Sequence, residues 1–70
     1  MSLYEEIKKK MRDGQARCAR QVSFDMNEST FAVKKAMDEL VGEGYLAHVR
    51  MIGNKNGYIL NEHGGYGGAA

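Results

Sequence analysis

The sequence predicts one small α+β domain in which three helices precede a two-stranded β-hairpin. Apolar residues recur at three- and four-residue spacing before residue 43, as on amphipathic helices, and alternate with polar ones after it. The chain has 70 residues, which leaves room for a single core. We therefore expect the domain to occupy residues 1–62 and residues 63–70 to form a disordered Gly-rich tail.

The first helix is predicted from Ser2 to Asp13. Ser2 and Glu5 have the spacing of a capping box, whose side chains satisfy backbone donors at a helix start. One apolar stripe runs along the segment, formed by Leu3, Tyr4, Ile7 and Met11. Gly14 can take the left-handed conformation that ends a helix, so we expect the helix to stop there.

The second element can be a strand or a short helix, because apolar residues alternate in part of residues 16–26. We favour a helix over residues 19–26 that buries Val22 and Met26, after an extended connection over residues 15–18. Asn27 then lies in a turn and is the residue there that best tolerates a left-handed backbone.

Ser29 is predicted to cap a third helix that runs to about Gly42, with Gly44 ending it. Its core face is formed by Val33, Ala36, Met37, Leu40 and Val41. Residues 45–52 and 58–60 then alternate as strands around a loop of turn formers at 53–57. This pattern predicts a β-hairpin with a polar tip.

Composition excludes several classes of function. One Cys cannot form an internal disulfide, and neither a long apolar run nor a charged-then-apolar leader occurs, so we expect a cytoplasmic protein without a membrane span. Cys18, His48 and His63 are too scattered for a zinc site. No catalytic triad order or phosphate-binding glycine loop is present, so we expect neither an enzyme nor a cofactor.

The charges are unevenly distributed although the net charge is only +1. Residues 8–35 hold eight of the ten cations and three acids, a net charge of +5, whereas residues 36–49 carry −3. A basic segment of this kind matters for nucleic-acid binding if its cations share one face of the fold.

From residue 33 to residue 46 the sequence reads VKKAMDELVGEGYL, in which a basic pair precedes an A-hydrophobic-D-E-L run and an E-G-hydrophobic-L run. This pattern resembles the third helix and first wing strand of bacterial regulators in the winged helix-turn-helix family of DNA-binding domains. The resemblance covers roughly residues 3–61, with Ser29-Thr30 similar to the usual recognition-helix cap. Two positions depart from the family: Glu28 replaces an apolar residue that seats the turn, and Phe24 replaces a polar one. Either Phe24 supplies the missing core contact or the turn is displaced.

The third helix has an exposed face with Phe31, Lys34, Lys35 and Asp38, and with Thr30 at its flank. Lys can contact guanine edges or phosphates, and Phe can rest on a thymine methyl group. The resemblance implies that this helix, residues 29–42, enters the major groove and that the hairpin tip, residues 53–57, contacts the backbone or minor groove. The candidate DNA contacts are Arg17, Arg20, Ser29, Thr30, Phe31, Lys34, Lys35, Arg50, Asn54, Lys55 and Asn56.

We therefore predict a small bacterial or phage transcriptional regulator that binds duplex DNA sequence-specifically. One such domain covers about one half-site, so a homodimer or cooperative neighbours would be needed, with the first helix or Tyr45 as candidate contacts. The alternative is a protein-interaction module of the same fold, such as a phage-encoded inhibitor of a host complex. The weak net charge and an exposed Phe31 favour that alternative.

Overall fold

The computed structural model describes residues 2–61 of the chain, so the predicted tail lies outside the described residues. Its elements, in chain order, are α1 (Leu3–Lys10), a 3-10 turn (Met11–Asp13), α2 (Ala19–Met26), α3 (Thr30–Gly42), β1 (Leu46–Met51) and β2 (Lys55–Leu60). Three helices followed by an antiparallel hairpin confirm the predicted α+β class, and the arrangement is consistent with a winged-helix layout.

The helix boundaries follow local capping signals. The Ser2 hydroxyl accepts a hydrogen bond from the backbone N–H of Glu5, and the Ser29 hydroxyl accepts one from Ala32, as predicted. The first helix tightens into the 3-10 turn before Gly14 takes the left-handed backbone with φ of 82°. Asn27, with φ of 57°, ends α2 in the predicted conformation.

The core lies between the three helices and the base of the hairpin. Seven of its side chains are less than 2% exposed: Ile7, Met11, Val22, Val33, Met37, Leu40 and Leu46. The candidate dimer contacts were the first helix, with Leu3, Tyr4 and Ile7, or Tyr45. Ile7 is fully buried, and Leu3, Tyr4 and Tyr45 pack against the core. The Tyr45 hydroxyl donates to the carbonyl of Lys8 at 3.0 Å. Part of the apolar surface of Leu3, Tyr4 and Tyr45 is therefore buried within the fold.

The turn between α2 and α3 is held by hydroxyl groups. Phe24 is 87% exposed, so the idea that it supplies the missing core contact is wrong. Ser23 is buried instead, and its hydroxyl donates to the Arg20 carbonyl at 2.8 Å and lies 2.9 Å from the Thr30 hydroxyl. This polar contact joins the two helices, and α2 keeps its predicted boundaries.

The hairpin turn is shorter than predicted. Residues 52–54 form the turn, whereas Lys55, Asn56 and Gly57 belong to β2 and pair with Met51, Arg50 and Val49. Consecutive positive φ angles at Gly53 and Asn54, 84° and 62°, reverse the chain within three residues and leave the rest of the predicted loop free to pair.

The extended connection before α2 pairs with the hairpin. Arg17 and Tyr58 exchange two backbone hydrogen bonds of 2.9 and 2.8 Å, which adds a one-residue bridge beside β2. Gly57 lies under this crossing, where a Cβ atom would press on the Met51 side chain and come within 3.3 Å of the Arg17 carbonyl oxygen. The bridge fixes the hairpin against the start of α2.

Candidate nucleic-acid interface

One groove lies between the start of α2, the exposed side of α3 and the hairpin. This central groove is lined by Cys18, Ala19, Arg20, Lys34, His48, Asn56 and Tyr58. It brings together three predicted site residues from three different elements, namely Arg20, Lys34 and Asn56. They border the same groove because the bridge at Arg17 holds β2 beside the first turn of α2.

A second, shallower cleft adjoins the central groove at Arg20. Its lining includes Arg20, Phe24 and Lys55, together with Cys18, Gln21 and Asp25. Because Arg20 borders both clefts, Lys34 and Asn56 lie on one side of it and Lys55 lies on the other. The outer half of the hairpin and the start of α2 therefore form a continuous surface on which Arg20, Lys34 and Lys55 lie.

The outer face of α3 carries the predicted aromatic and basic side chains. Phe31 is 80% exposed, and it lines a surface depression with Lys34, Lys35, Asp38 and Glu39. Lys34 belongs both to this face and to the central groove, so the two surfaces are contiguous. The helical spacing placed these residues together, as the sequence predicted.

Asp38 links α3 to the hairpin through two partners. The Lys34 ammonium lies 2.9 Å from one carboxylate oxygen, and the Tyr58 hydroxyl donates to the other at 2.6 Å. The hydrogen bond from Tyr58, followed by that from Lys34, lowers the pKa of Asp38. Burial, followed by the bond to Asp38, raises the pKa of Tyr58. Asp38 is thus a charged neighbour that competes with any anionic ligand for Lys34.

Sequence reasoning missed the role of Tyr58. The residue is 5% exposed, its ring lies 5.1 Å from the His48 ring, and its hydroxyl reaches Asp38 twenty positions earlier in the chain. The alternating pattern of a strand can predict that Tyr58 is buried. Only the register of the hairpin, however, places its hydroxyl beside the carboxylate of Asp38.

Arg17, predicted as a phosphate contact, is bound within the fold. Its guanidinium forms two hydrogen bonds to the Asp13 carboxylate, at 2.9 and 2.8 Å, and a third to the Lys10 carbonyl at 3.3 Å. The bond from Arg17 lowers the pKa of Asp13 well below its usual range. The Arg17 side chain is only 16% exposed, so we leave it out of the proposed interface.

Ser29 and Thr30 position the first turn of α3. The Ser29 hydroxyl is the helix cap, and the Thr30 hydroxyl contacts Ser23. Each oxygen retains further hydrogen-bonding capacity, and both residues are exposed. A ligand contact by either one would therefore add to its structural role.

The hairpin tip carries an apolar residue that the sequence prediction did not single out. Arg50 donates to the Asn54 side chain at 2.6 Å across the turn, so two predicted contacts are joined there. Beside them Ile52 is 97% exposed. Ile52 directly precedes Gly53 and Asn54, a pattern that could have indicated an apolar residue at the turn. The sequence prediction placed Ile52 at the end of the first strand instead.

Within residues 2–61 no three His, Cys, Asp or Glu side chains are grouped so that they could hold a metal ion. In the same part of the chain, every helix is too short or too polar to span a membrane. Comparisons of the chain with protein families, with curated proteins and with solved structures find no match. Its function is therefore inferred from the residues of the chain itself.

Proposed function

We propose that this chain binds duplex DNA, with the outer face of α3 in the major groove and the central groove against the phosphate backbone. The observation that carries the proposal is the convergence of Arg20, Lys34 and Asn56 from three elements into one groove. Cations and amides of this kind are the groups that contact phosphates and base edges. Lys55 extends the same surface beyond Arg20.

The electrostatics of this surface favour an anionic ligand. Among the described residues, Arg20 and Lys35 form no ion pair, and the hairpin, residues 46–60, contains no Asp or Glu. Asp38, which bonds to Tyr58 and Lys34 at this groove, is balanced by Lys34, and Asp25, which lines the adjoining cleft, is paired with Lys10. An exposed ion pair is worth about 0.2–1 kcal/mol, so a phosphate can exchange for the Asp38 carboxylate at little cost.

The outer face of α3 is suited to base contacts. A helix fits the major groove, which is about 12 Å wide, and its N-terminal residues commonly reach base edges. Phe31 would then contact an apolar edge such as a thymine methyl group, while Lys35 would contact a guanine or a phosphate. We infer a cytoplasmic transcriptional regulator that acts as a homodimer or in cooperative rows, since one domain covers about one half-site.

A protein partner is the second candidate function, and Phe24 favours it. This side chain is 87% exposed on α2 and lines the cleft beside Arg20, where a duplex offers no apolar surface except base edges. A partner with an acidic rim and an apolar centre would match this cleft.

Fluorescence anisotropy with a random-sequence 20-base-pair duplex, measured from 50 to 300 mM salt, tests the proposal. The variant Arg20→Ala/Lys35→Ala should lower the affinity by about 60-fold at 0.1 M salt and the salt slope by about 1.8, because two phosphate contacts are lost. The matched control is Lys9→Ala/Arg12→Ala, which removes two exposed cations from α1 and the turn after it.

Absence of binding at 50 mM salt would refute the proposal. An equal loss in both double variants would also refute it, because net charge alone would then account for the affinity. If the duplex is not bound and a protein captured from the source cell is lost with Phe24→Ser, the second candidate replaces the first.

A further inference from the structure

The most exposed large apolar side chain of the described residues is at the hairpin tip. Ile52 is 97% exposed, compared with 87% for Phe24 and 80% for Phe31. It lies in the turn at the far end of the hairpin, where its side chain is almost fully open to solvent. An apolar side chain displayed in this way is characteristic of a contact surface.

The tip holds Ile52 in a defined position. The turn is only three residues long, and both Gly53 and Asn54 have left-handed backbone conformations. The Arg50 guanidinium donates to the Asn54 side chain at 2.6 Å and ties the two sides of the turn together. The apolar side chain is therefore presented on a short, braced turn, which lowers the entropy lost when it inserts into a partner.

The length of the hairpin suits the minor groove of a duplex. The Val49–Gly57 pair is the last one toward the tip with a buried member, since Gly57 is buried beside the Arg17 carbonyl, while Asn56 and Lys55 are exposed at the clefts beside α2. Three residues beyond Val49 span about 10 Å, so the turn stands clear of the buried part of the hairpin and can approach a groove from outside. The groove is only about 6 Å wide, so a two-stranded ribbon is too broad to enter and only the tip side chains can.

The charges around the tip identify the occupant. Arg50 and Lys55 flank Ile52 in sequence, and no acid occurs between residues 44 and 61. One cation on each side of the apolar tip could contact each of the two phosphate backbones that border a minor groove. A protein pocket would suit this tip only if acidic side chains surrounded the pocket.

Resting on the proposed DNA binding, we propose that Ile52 is a wedge that enters the minor groove, partly unstacks one base step and bends the duplex. Apolar wedges of this kind bend DNA away from the groove they enter, so that more of the duplex wraps the protein. Pyrimidine–purine steps unstack most easily, and the wedge would therefore favour TA and CA steps without hydrogen-bonding to them. The hairpin would contribute to sequence preference through the deformability of the DNA.

Energy transfer between dyes on the two ends of a 30-base-pair duplex with repeated TA steps tests the wedge. Wild-type protein at saturation should shorten the distance between the dyes. Ile52→Ser should abolish the shortening and lower the affinity by about tenfold, whereas Ile52→Leu, which keeps an apolar tip, should preserve both. Phe24→Ser is the matched control for loss of an exposed apolar side chain and should leave the bend unchanged.

Each outcome decides between the proposals. If the wild type binds without bending the duplex, or if Ile52→Ser bends it equally, the wedge is wrong and DNA binding stands. If no duplex is bound at 50 mM salt, both proposals fail. If the wild type binds vesicles with anionic headgroups but no duplex, and Ile52→Ser loses the vesicle binding, the tip is assigned to a lipid surface instead. Thermal melts of each variant check that the fold is unchanged.

Discussion

Replacing Asp38 with Asn should weaken the fold and strengthen DNA binding, so that the two properties change in opposite directions. Asp38 accepts a hydrogen bond from Tyr58 at 2.6 Å and holds the Lys34 ammonium at 2.9 Å. The asparagine oxygen can still accept from Tyr58, but it carries no charge to attract Lys34. The substitution therefore isolates the effect of the carboxylate charge.

The expected loss of stability follows from these two contacts. A hydrogen bond to a charged acceptor is worth about 1.5–3 kcal/mol, and one to a neutral acceptor about 1 kcal/mol. The Asp38 side chain is 43% exposed, which favours the low end of that difference. Adding the lost pair with Lys34, we expect about 1–2 kcal/mol less unfolding free energy and a Tm lower by about 5–10 °C.

The expected gain in affinity comes from Lys34. In the variant, its ammonium no longer has to leave the Asp38 carboxylate to neutralise a phosphate, so the affinity should rise by up to about fivefold, the cost of breaking an exposed ion pair, with the salt slope unchanged. Glu39→Gln is the matched control, because Glu39 shares the same face of α3 with Asp38. Its charge acts only at a distance, so we expect a gain below about twofold and little change in Tm.

Thermal melts and anisotropy titrations of the two variants measure both effects. Equal gains in affinity from Asp38→Asn and Glu39→Gln would show that net charge, rather than release of Lys34, controls binding. Weaker binding by Asp38→Asn would refute the reasoning outright, because Asp38 would then assist the ligand instead of competing with it.

Three further predictions concern the fold. Gly57→Ala should cost about 1–3 kcal/mol in urea melts, because the added methyl group must displace Met51 and crowd the Arg17 carbonyl; an unchanged midpoint would contradict that packing. Arg17→Lys should be destabilising, because a lysine cannot form both hydrogen bonds that the Arg17 guanidinium makes to the Asp13 carboxylate. A lower urea midpoint at neutral pH measures this loss. The pKa of Asp38 lies below its ordinary value of 3.8, so its stabilisation is complete above about pH 5 and is lost as the pH falls through the lowered pKa. Melts from pH 2 to 7 should show a smaller acid loss in Asp38→Asn.

Local signals allowed most of the fold to be predicted. The hydroxyl of Ser29, the left-handed tolerance of Asn27 and the glycine after Asp13 each act within four residues, so a sequence pattern contains the whole interaction. The same holds for the exposed face of α3, since helical spacing determines which side chains share a side.

Contacts between distant residues could not be predicted in this way. The hydroxyl of Tyr58 finds Asp38 only when the hairpin register and the position of α3 are both known. Arg17 reads as a free cation at the start of α2, yet the 3-10 turn brings Asp13 within reach of its guanidinium. The turn length was also missed, because two consecutive left-handed residues were needed to release Lys55 into the strand.

The resulting charge distribution argues for modest affinity that depends steeply on salt. Within the basic segment, Lys8, Lys9, Lys10, Arg12 and Arg17 lie on α1, on the turn after it or within the fold, so only Arg20, Lys34 and Lys35 of its eight cations belong to the proposed surface. Five cations remain on the α2, α3 and hairpin surface when Lys34 is released, namely Arg20, Lys34, Lys35, Arg50 and Lys55. Five phosphate contacts give a salt slope of about −4.5, which lowers affinity about 500-fold between 50 and 200 mM salt. A single copy would then bind DNA weakly at physiological salt, so occupancy would require cooperative binding or the additional contacts of a bent duplex. A measured salt slope shallower than about −2 would contradict this account.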